Sequence, residues 1–187
     1  TFREVSRLLV PGESNFEIGA GSGVGELFVP SLTCTEVEPN EFVRIRVNGS
    51  NLPWASSSVD NLILVNAFHH LPYPSRFLSE ASRCLRVGGR IILVEPFWAP
   101  LAAGVYSTIH PEPFNPFVGS WDSAMEDPWD SNQALSWVIF KRDKKLLNER
   151  FPELKVGGIL PFSGISYLLS GGVFHRTRWP SKVLIAL

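Results

Sequence analysis

Residues 16–25, Phe-Glu-Ile-Gly-Ala-Gly-Ser-Gly-Val-Gly, constrain this chain more than any other stretch. Phe16 and Ile18 read as the end of a buried strand that breaks into a loop at Gly19, Gly21, Gly23 and Gly25. Glycines at alternate positions permit positive φ and clear the Cβ atoms from one side of the turn. A flat ligand can then rest on bare backbone beside the start of the next helix. A dinucleotide, a nucleoside triphosphate and a sulfonium nucleoside all suit such a loop, so its neighbours must decide.

The dinucleotide fingerprint Gly-x-Gly-x-x-Gly fails in both registers, because its third glycine falls on Val24 or on Glu26. A phosphate-cradling loop needs a lysine after its last glycine, and no lysine precedes Lys141. Glu17, just ahead of the loop, opposes an anion and suits a ligand bearing an ammonium or sulfonium charge. Glu36, in Thr35-Glu36-Val37-Glu38-Pro39, stands at the end of a second predicted strand. An acid in that place takes both hydroxyls of a ribose. Glu-x-Gly-x-Gly-x-Gly followed by that acid resembles the class I S-adenosylmethionine (SAM) methyltransferases.

The rest of the chain is read from periodicity and punctuation. Residues 2–9 have the spacing of a short helix, followed by strands over 15–18, 32–37 and 43–47. Asn61–Val65 and Arg90–Glu95 are continuous apolar runs suited to strands covered on both faces. Between them Pro74 opens a helix with an apolar stripe at Phe77, Leu78, Ala81 and Leu85, an Arg76/Glu80 pair, and Gly88-Gly89 as its cap. This alternation over 15–95 predicts a doubly wound, mostly parallel α/β sheet. Residues 97–130 mix prolines with Phe97, Trp98, Phe114, Phe117, Trp121 and Trp129, as expected of a lid-like insertion in a single domain spanning 1–187. A helix over about 132–148, a strand at 154–160, helical turns at 166–169 and a last element at 183–187 complete the expectation.

A net charge of −1 over 187 residues supplies no general pull toward nucleic acid or an anionic membrane. Cys34 and Cys84 lie in apolar surroundings with no metal-like spacing, which fits reduced thiols in a cytoplasmic protein, and no metal ligand is assigned. No signal peptide or apolar run long enough to span a membrane occurs.

Further segments carry the resemblance over residues 9–96: Asn48-Gly49-Ser50-Asn51-Leu52-Pro53-Trp54, Val59-Asp60-Asn61-Leu62, and the Arg-x-Leu-x-x-Gly-Gly of residues 83–89. It implies a Rossmann-like sheet of about seven strands, with SAM, or its product S-adenosylhomocysteine, at the carboxyl edge. The implied cofactor contacts are Glu17, Gly19, Ala20, Gly21, Gly23, Glu36, Val37, Asn48, Gly49, Ser50, Asn66 and His69. The chain departs from the family in three ways: Asn48 stands where aspartate is commoner, the second and third covering helices are short, and the chain begins close to its first strand, which leaves truncation at its ends open. The tail, with His110-Pro111-Glu112-Pro113-Phe114, looks like methyltransferases of cell-surface polysaccharide synthesis.

Methyl transfer from a sulfonium needs alignment of nucleophile, methyl and sulfur, and one base where the acceptor loses a proton. His70, His110 and Glu112 are the catalytic candidates. The expected activity is methyl transfer to a small-molecule or glycan acceptor, with a non-catalytic SAM-fold binding or regulatory protein as the alternative. Oligomeric state and the choice among O-, N- and C-methylation are left open.

Overall fold

The computed structural model describes residues 1–96, 112–123 and 131–160. Contacts group the chain into Thr1–Lys155 and Val156–Leu187, and residues 156–160 carry no regular element. The first unit contains helix α1 (Phe2–Leu8) and strands β1 (Asn15–Ile18), β2 (Leu32–Thr35) and β3 (Val59–Val65). Helix α2 (Pro74–Cys84), strand β4 (Leu85–Val94), a short helix α3 (Leu135–Trp137), a π-helical turn (Val138–Arg142) and helix α4 (Lys144–Arg150) follow.

The four strands form one sheet in the order β2-β1-β3-β4, and every pairing is parallel. Leu62, Ile63 and Leu64 of β3 are fully buried, as a strand paired on both sides and covered on both faces requires. The Rossmann-like α/β architecture read from the sequence is present, with four strands among the described residues rather than about seven. β1 is followed in sequence by a neighbour on one side and in space by β3 on the other. Strand order therefore reverses beside the glycine loop, which is where open parallel sheets bind ligands.

Several boundaries differ from the sequence expectation. The predicted strand 43–47 is reduced to a single bridge, with Glu36 N–H donating to Ile45 O (3.0 Å) and Val47 N–H to Glu36 O (2.9 Å). A parallel crossover takes a dozen or more residues, and residues 38–42 are too few to supply one. β2 accordingly ends at Thr35, not at Val37. Gly88-Gly89 does not cap α2, because the helix stops at Cys84 and Leu85 already opens β4. Gly88 instead adopts φ +82° where the β3–β4 register shifts between Val59 and Asn61, a bulge that its missing Cβ accommodates.

Glu80 pairs with Arg83 (2.8 Å) rather than with Arg76, whose guanidinium lies over the Tyr73 ring. Arg83 also donates to the carbonyl oxygens of Leu52 and Trp54, while Glu80 accepts from Leu52 N–H. The arginine of Arg-x-Leu-x-x-Gly-Gly thus clamps the loop that carries Asn48–Ser50. The predicted helix 132–148 breaks into α3, the π turn and α4. Asp143 N–H reaches Val138 O (2.8 Å), and the resulting bulge lets Asp143 accept from the Trp121 indole (2.8 Å). Such π insertions follow from a side chain pinned elsewhere. Residues 154–160 form no strand, and the elements expected at 166–169 and 183–187 lie outside the described residues. No helix of the described residues is long and apolar enough to cross a membrane.

Candidate active site at the carboxyl edge of the sheet

The glycine loop leaves β1 at Ile18 and returns through a short 3-10 turn at Val24–Leu27. Gly19, Gly21 and Gly23 all take positive φ. At Gly21, with φ +56°, a Cβ would meet none of the described residues within 4 Å, so its side of the loop is open among them. Gly25 is a glycine for a different reason: a Cβ there would sit 2.3 Å from Glu17 Oε2 and 2.8 Å from Leu32 Cδ2.

Glu36 lies across the loop. Its Oε2 accepts from Gly21 N–H and its Oε1 from Val37 N–H, both at 2.9 Å. Asn40 donates to Gly21 O at 2.8 Å, so Gly21 is held from both sides by the chain that follows β2. Ala20 N–H is tied to Thr35 O (3.0 Å). On the other flank, a Cβ on Gly19 would lie 2.8 Å from Ala67 Cβ, which brings the end of β3 against the loop. Asn66, exposed and at φ +51°, turns the chain there. Asn48 Oδ1 accepts from Ser50 N–H (2.8 Å) and folds 48–51 into a tight turn, with Gly49 packed against Leu71 and Phe77.

Glu17 is only 2% exposed, and its Oε2 accepts from the Cys34 thiol (3.3 Å) beneath the loop. The direct contact with a ligand cation expected from the sequence is not offered in this arrangement. Burial, weakly opposed by the Cys34 hydrogen bond and reinforced by Glu26 and Glu36, pushes its carboxyl up to about 7. Burial and the nearby Glu17 carboxylate likewise push the Cys34 thiol up to about 12.

A second polar centre forms where β3 and β4 end. Glu95 Oε1 accepts from Ala67 N–H (2.9 Å) and Phe68 N–H (2.7 Å), fixing the 3-10 turn Phe68–His70. Its Oε2 lies 2.5 Å from His69 Nδ1, and His69 Nε2 lies 3.3 Å from Glu112 Oε2. Glu112 Oε2 also accepts from Ser131 Oγ (3.0 Å) and Gln133 Nε2 (2.9 Å), and its Oε1 is 3.9 Å from His70 Nε2. Burial alone would lower the pKa of His69, yet Glu112 and Glu95 on either side hold it up at about 9. Glu112 is its counterpart. Burial would raise it, but hydrogen bonds from His69 and Gln133 and the two imidazoles bring it down to about 2. His69 also lines a cavity of about 220 Å³ walled by Ser120, Trp121, Ser123, Ser131 and Asn132.

Residues 17–93, less than half of the chain, match the family model described as a methyltransferase domain. That stretch is similar to a methyltransferase domain. Among solved structures, the chain is similar to a SAM-dependent methyltransferase of Thermotoga maritima described as a possible histamine N-methyltransferase. That match has 26% identity and a TM-score of 0.45, and covers 57% of this chain and 55% of that one. It is also similar to a protein from an antibiotic biosynthesis pathway of Anabaena variabilis described as a proposed methyltransferase, at 22% identity and TM-score 0.48, covering 81% and 60%. A third, the trans-methyltransferase CalH in complex with S-adenosylhomocysteine, has 20% identity and TM-score 0.38, covering 49% and 34%. The chain spans little more than half the length of the first solved structures it matches, 55%, 55% and 54%. No curated protein matches it.

The structure gathers Gly19–Gly23, Glu36, Val37 and Asn66 along one edge of the sheet. It buries Glu17 below that edge and places His69, His70 and Glu112 together at the other centre. His110 lies outside the described residues. Glu95, an acid that closes the last apolar run at the sheet edge, ties Ala67, Phe68 and His69 together as a structural acceptor. Ser131 and Gln133 offered no signal in the sequence, because only the fold brings them to Glu112.

Glu17 makes the stability of the fold depend on pH. Its folded pKa of about 7 exceeds the ordinary 4.5. Between those values the folded state holds a proton that the unfolded state has released. Stability therefore falls as pH rises through this window, by about 3 kcal/mol in all, and levels off above it. Glu17→Gln should flatten that slope and stabilise the protein above neutral pH, as read by urea unfolding at pH 5 and pH 8. An unchanged slope would show that Glu17 ionises freely in the fold.

Proposed function

We propose that the protein transfers a methyl group from SAM to a small-molecule or glycan acceptor. The observation that carries this reading is the open face of Gly21, whose N–H is held by Glu36 at the strand-order reversal. The ribose hydroxyls would replace Gly21 and Val37 as partners of Glu36, or share it with them. Val37, 49% exposed beside that carboxylate, offers an apolar surface to the adenine. Asn48–Ser50 would close the adenine side, and Asn66 with His69 the methionine side.

The acceptor would enter through the cavity walled by His69, Ser120, Ser123 and Asn132. The reaction is a single displacement: the acceptor's lone pair forms the new bond to the methyl carbon while the carbon–sulfur pair returns to sulfur. A hydroxyl or amine acceptor then gives up a proton. His70, one-third exposed and backed by Glu112, is the side chain placed to handle it. Glu112 is a positioning group, since its held ionisation suits it to orient imidazoles rather than to take a proton. His110 stays a candidate from its sequence position alone, and a cytoplasmic site of action fits the reduced cysteines.

Incubating the chain with tritium-labelled SAM and fractionated metabolites and glycans tests this. Label appearing in one acceptor class supports the proposal. SAM binding without transfer to any of them favours the non-catalytic alternative.

A further inference from the structure

We infer that His69, His70 and Glu112 form a site for one divalent transition-metal ion of the zinc class. One ligand atom from each of these side chains lies within 4.8 Å of the other two, with His69 Nε2 3.3 Å and His70 Nε2 3.9 Å from Glu112 oxygens. Ligands bound at 2.0–2.1 Å in a tetrahedral site stand about 3.4 Å apart. To share an ion the three atoms need small movements, and His69 Nε2 gives up to solvent the proton it directs at Glu112. Two imidazoles and one carboxylate suit zinc, and cobalt(II) as its spectroscopic stand-in.

The groups behind the ligands point the same way. A metal-bound histidine nearly always gives its other ring N–H to a carboxylate or carbonyl. His69 does this through Nδ1 to Glu95, which is itself fixed by two backbone N–H groups and leaves Nε2 turned toward Glu112. The Glu112 carboxylate is in turn oriented by Ser131 and Gln133. His70 is carried by the same 3-10 turn, its ring 4.2 Å from that of His69. Three protein ligands leave a fourth position for a water or an acceptor oxygen, as catalytic sites of this type require.

The ion's part in methyl transfer rests on the proposed function, whereas its binding does not. At the fourth position it would lower the pKa of an acceptor hydroxyl, whose proton passes to solvent water before the oxygen takes the methyl group. His70 then acts as a ligand rather than as the base itself.

The test uses the full chain, stripped with chelator and titrated with zinc chloride by calorimetry in the absence of SAM. One equivalent should bind, and cobalt(II) should give visible bands of tetrahedral intensity. His70→Ala, which alters a partly exposed side chain, should weaken zinc binding at least 10–100-fold and abolish those bands while thermal unfolding stays cooperative. Glu112→Gln should do the same, and where it does not fold His70→Ala decides alone. No zinc uptake by the wild-type chain, or uptake unchanged in His70→Ala, overturns the site. Because SAM is absent, either result stands apart from success or failure of methyl transfer.

Discussion

Glu36→Ala is expected to weaken SAM binding about 10²–10⁴-fold. Two charge-assisted hydrogen bonds to ribose hydroxyls are worth roughly 1.5–3 kcal/mol each, and each 1.4 kcal/mol is a factor of ten. The structure adds a second cause, because Glu36 also holds Gly21 N–H at 2.9 Å and thereby sets the shape of the loop. Glu36→Gln separates the two. Its amide oxygen can still accept from Gly21, so the loop keeps its form while the charge is lost, and affinity should fall between wild type and alanine. Calorimetry showing full affinity in Glu36→Ala would remove Glu36 from the ribose site.

The other large effect belongs to His70. His70→Ala should lower methyl-transfer turnover about 10²–10⁴-fold while leaving SAM affinity nearly constant. Its imidazole stands beside Glu112, at the polar centre distinct from the glycine loop. A loss of SAM affinity as large as the loss of turnover would make His70 a cofactor contact instead. Steady-state rates and calorimetry on the same preparation make the comparison.

The glycine-loop edge of the sheet was legible because its signals are local. A loop of alternating glycines after an apolar strand, with an acid one strand later, allows few arrangements, and Gly21 and Glu36 lie within hydrogen-bond distance of each other. The covering elements were legible for the same reason: Phe77, Leu78 and Ala81 mark the buried stripe of α2 at helical spacing. The errors came where tertiary contacts outweigh local signals. Gly88-Gly89 looks like a helix cap, yet β3 draws Leu85 into pairing with Val59, so the glycines serve a bulge. Asp143 breaks a periodic helix because Trp121, far away in sequence, needs an acceptor. Glu17 followed the family pattern, but its spacing could not reveal that the side chain turns under the loop toward Cys34. The centre of His69, His70, Glu95 and Glu112 was half seen. Adjacent histidines and an acid within a proline-rich stretch draw notice singly, whereas their convergence depends on where β3 and β4 end.

If the glycine loop binds SAM, titration of the chain with S-adenosylhomocysteine by calorimetry, with Gly21→Ala alongside, will show it. Nothing among the described residues lies within 4 Å of the added Cβ, so the fold should survive apart from some strain at φ +56°, while the methyl would occupy the ligand's surface. One saturable site is expected in the wild-type chain, with a sharp loss in Gly21→Ala at nearly unchanged melting temperature. Equal binding by both, or none by the wild type, would contradict it.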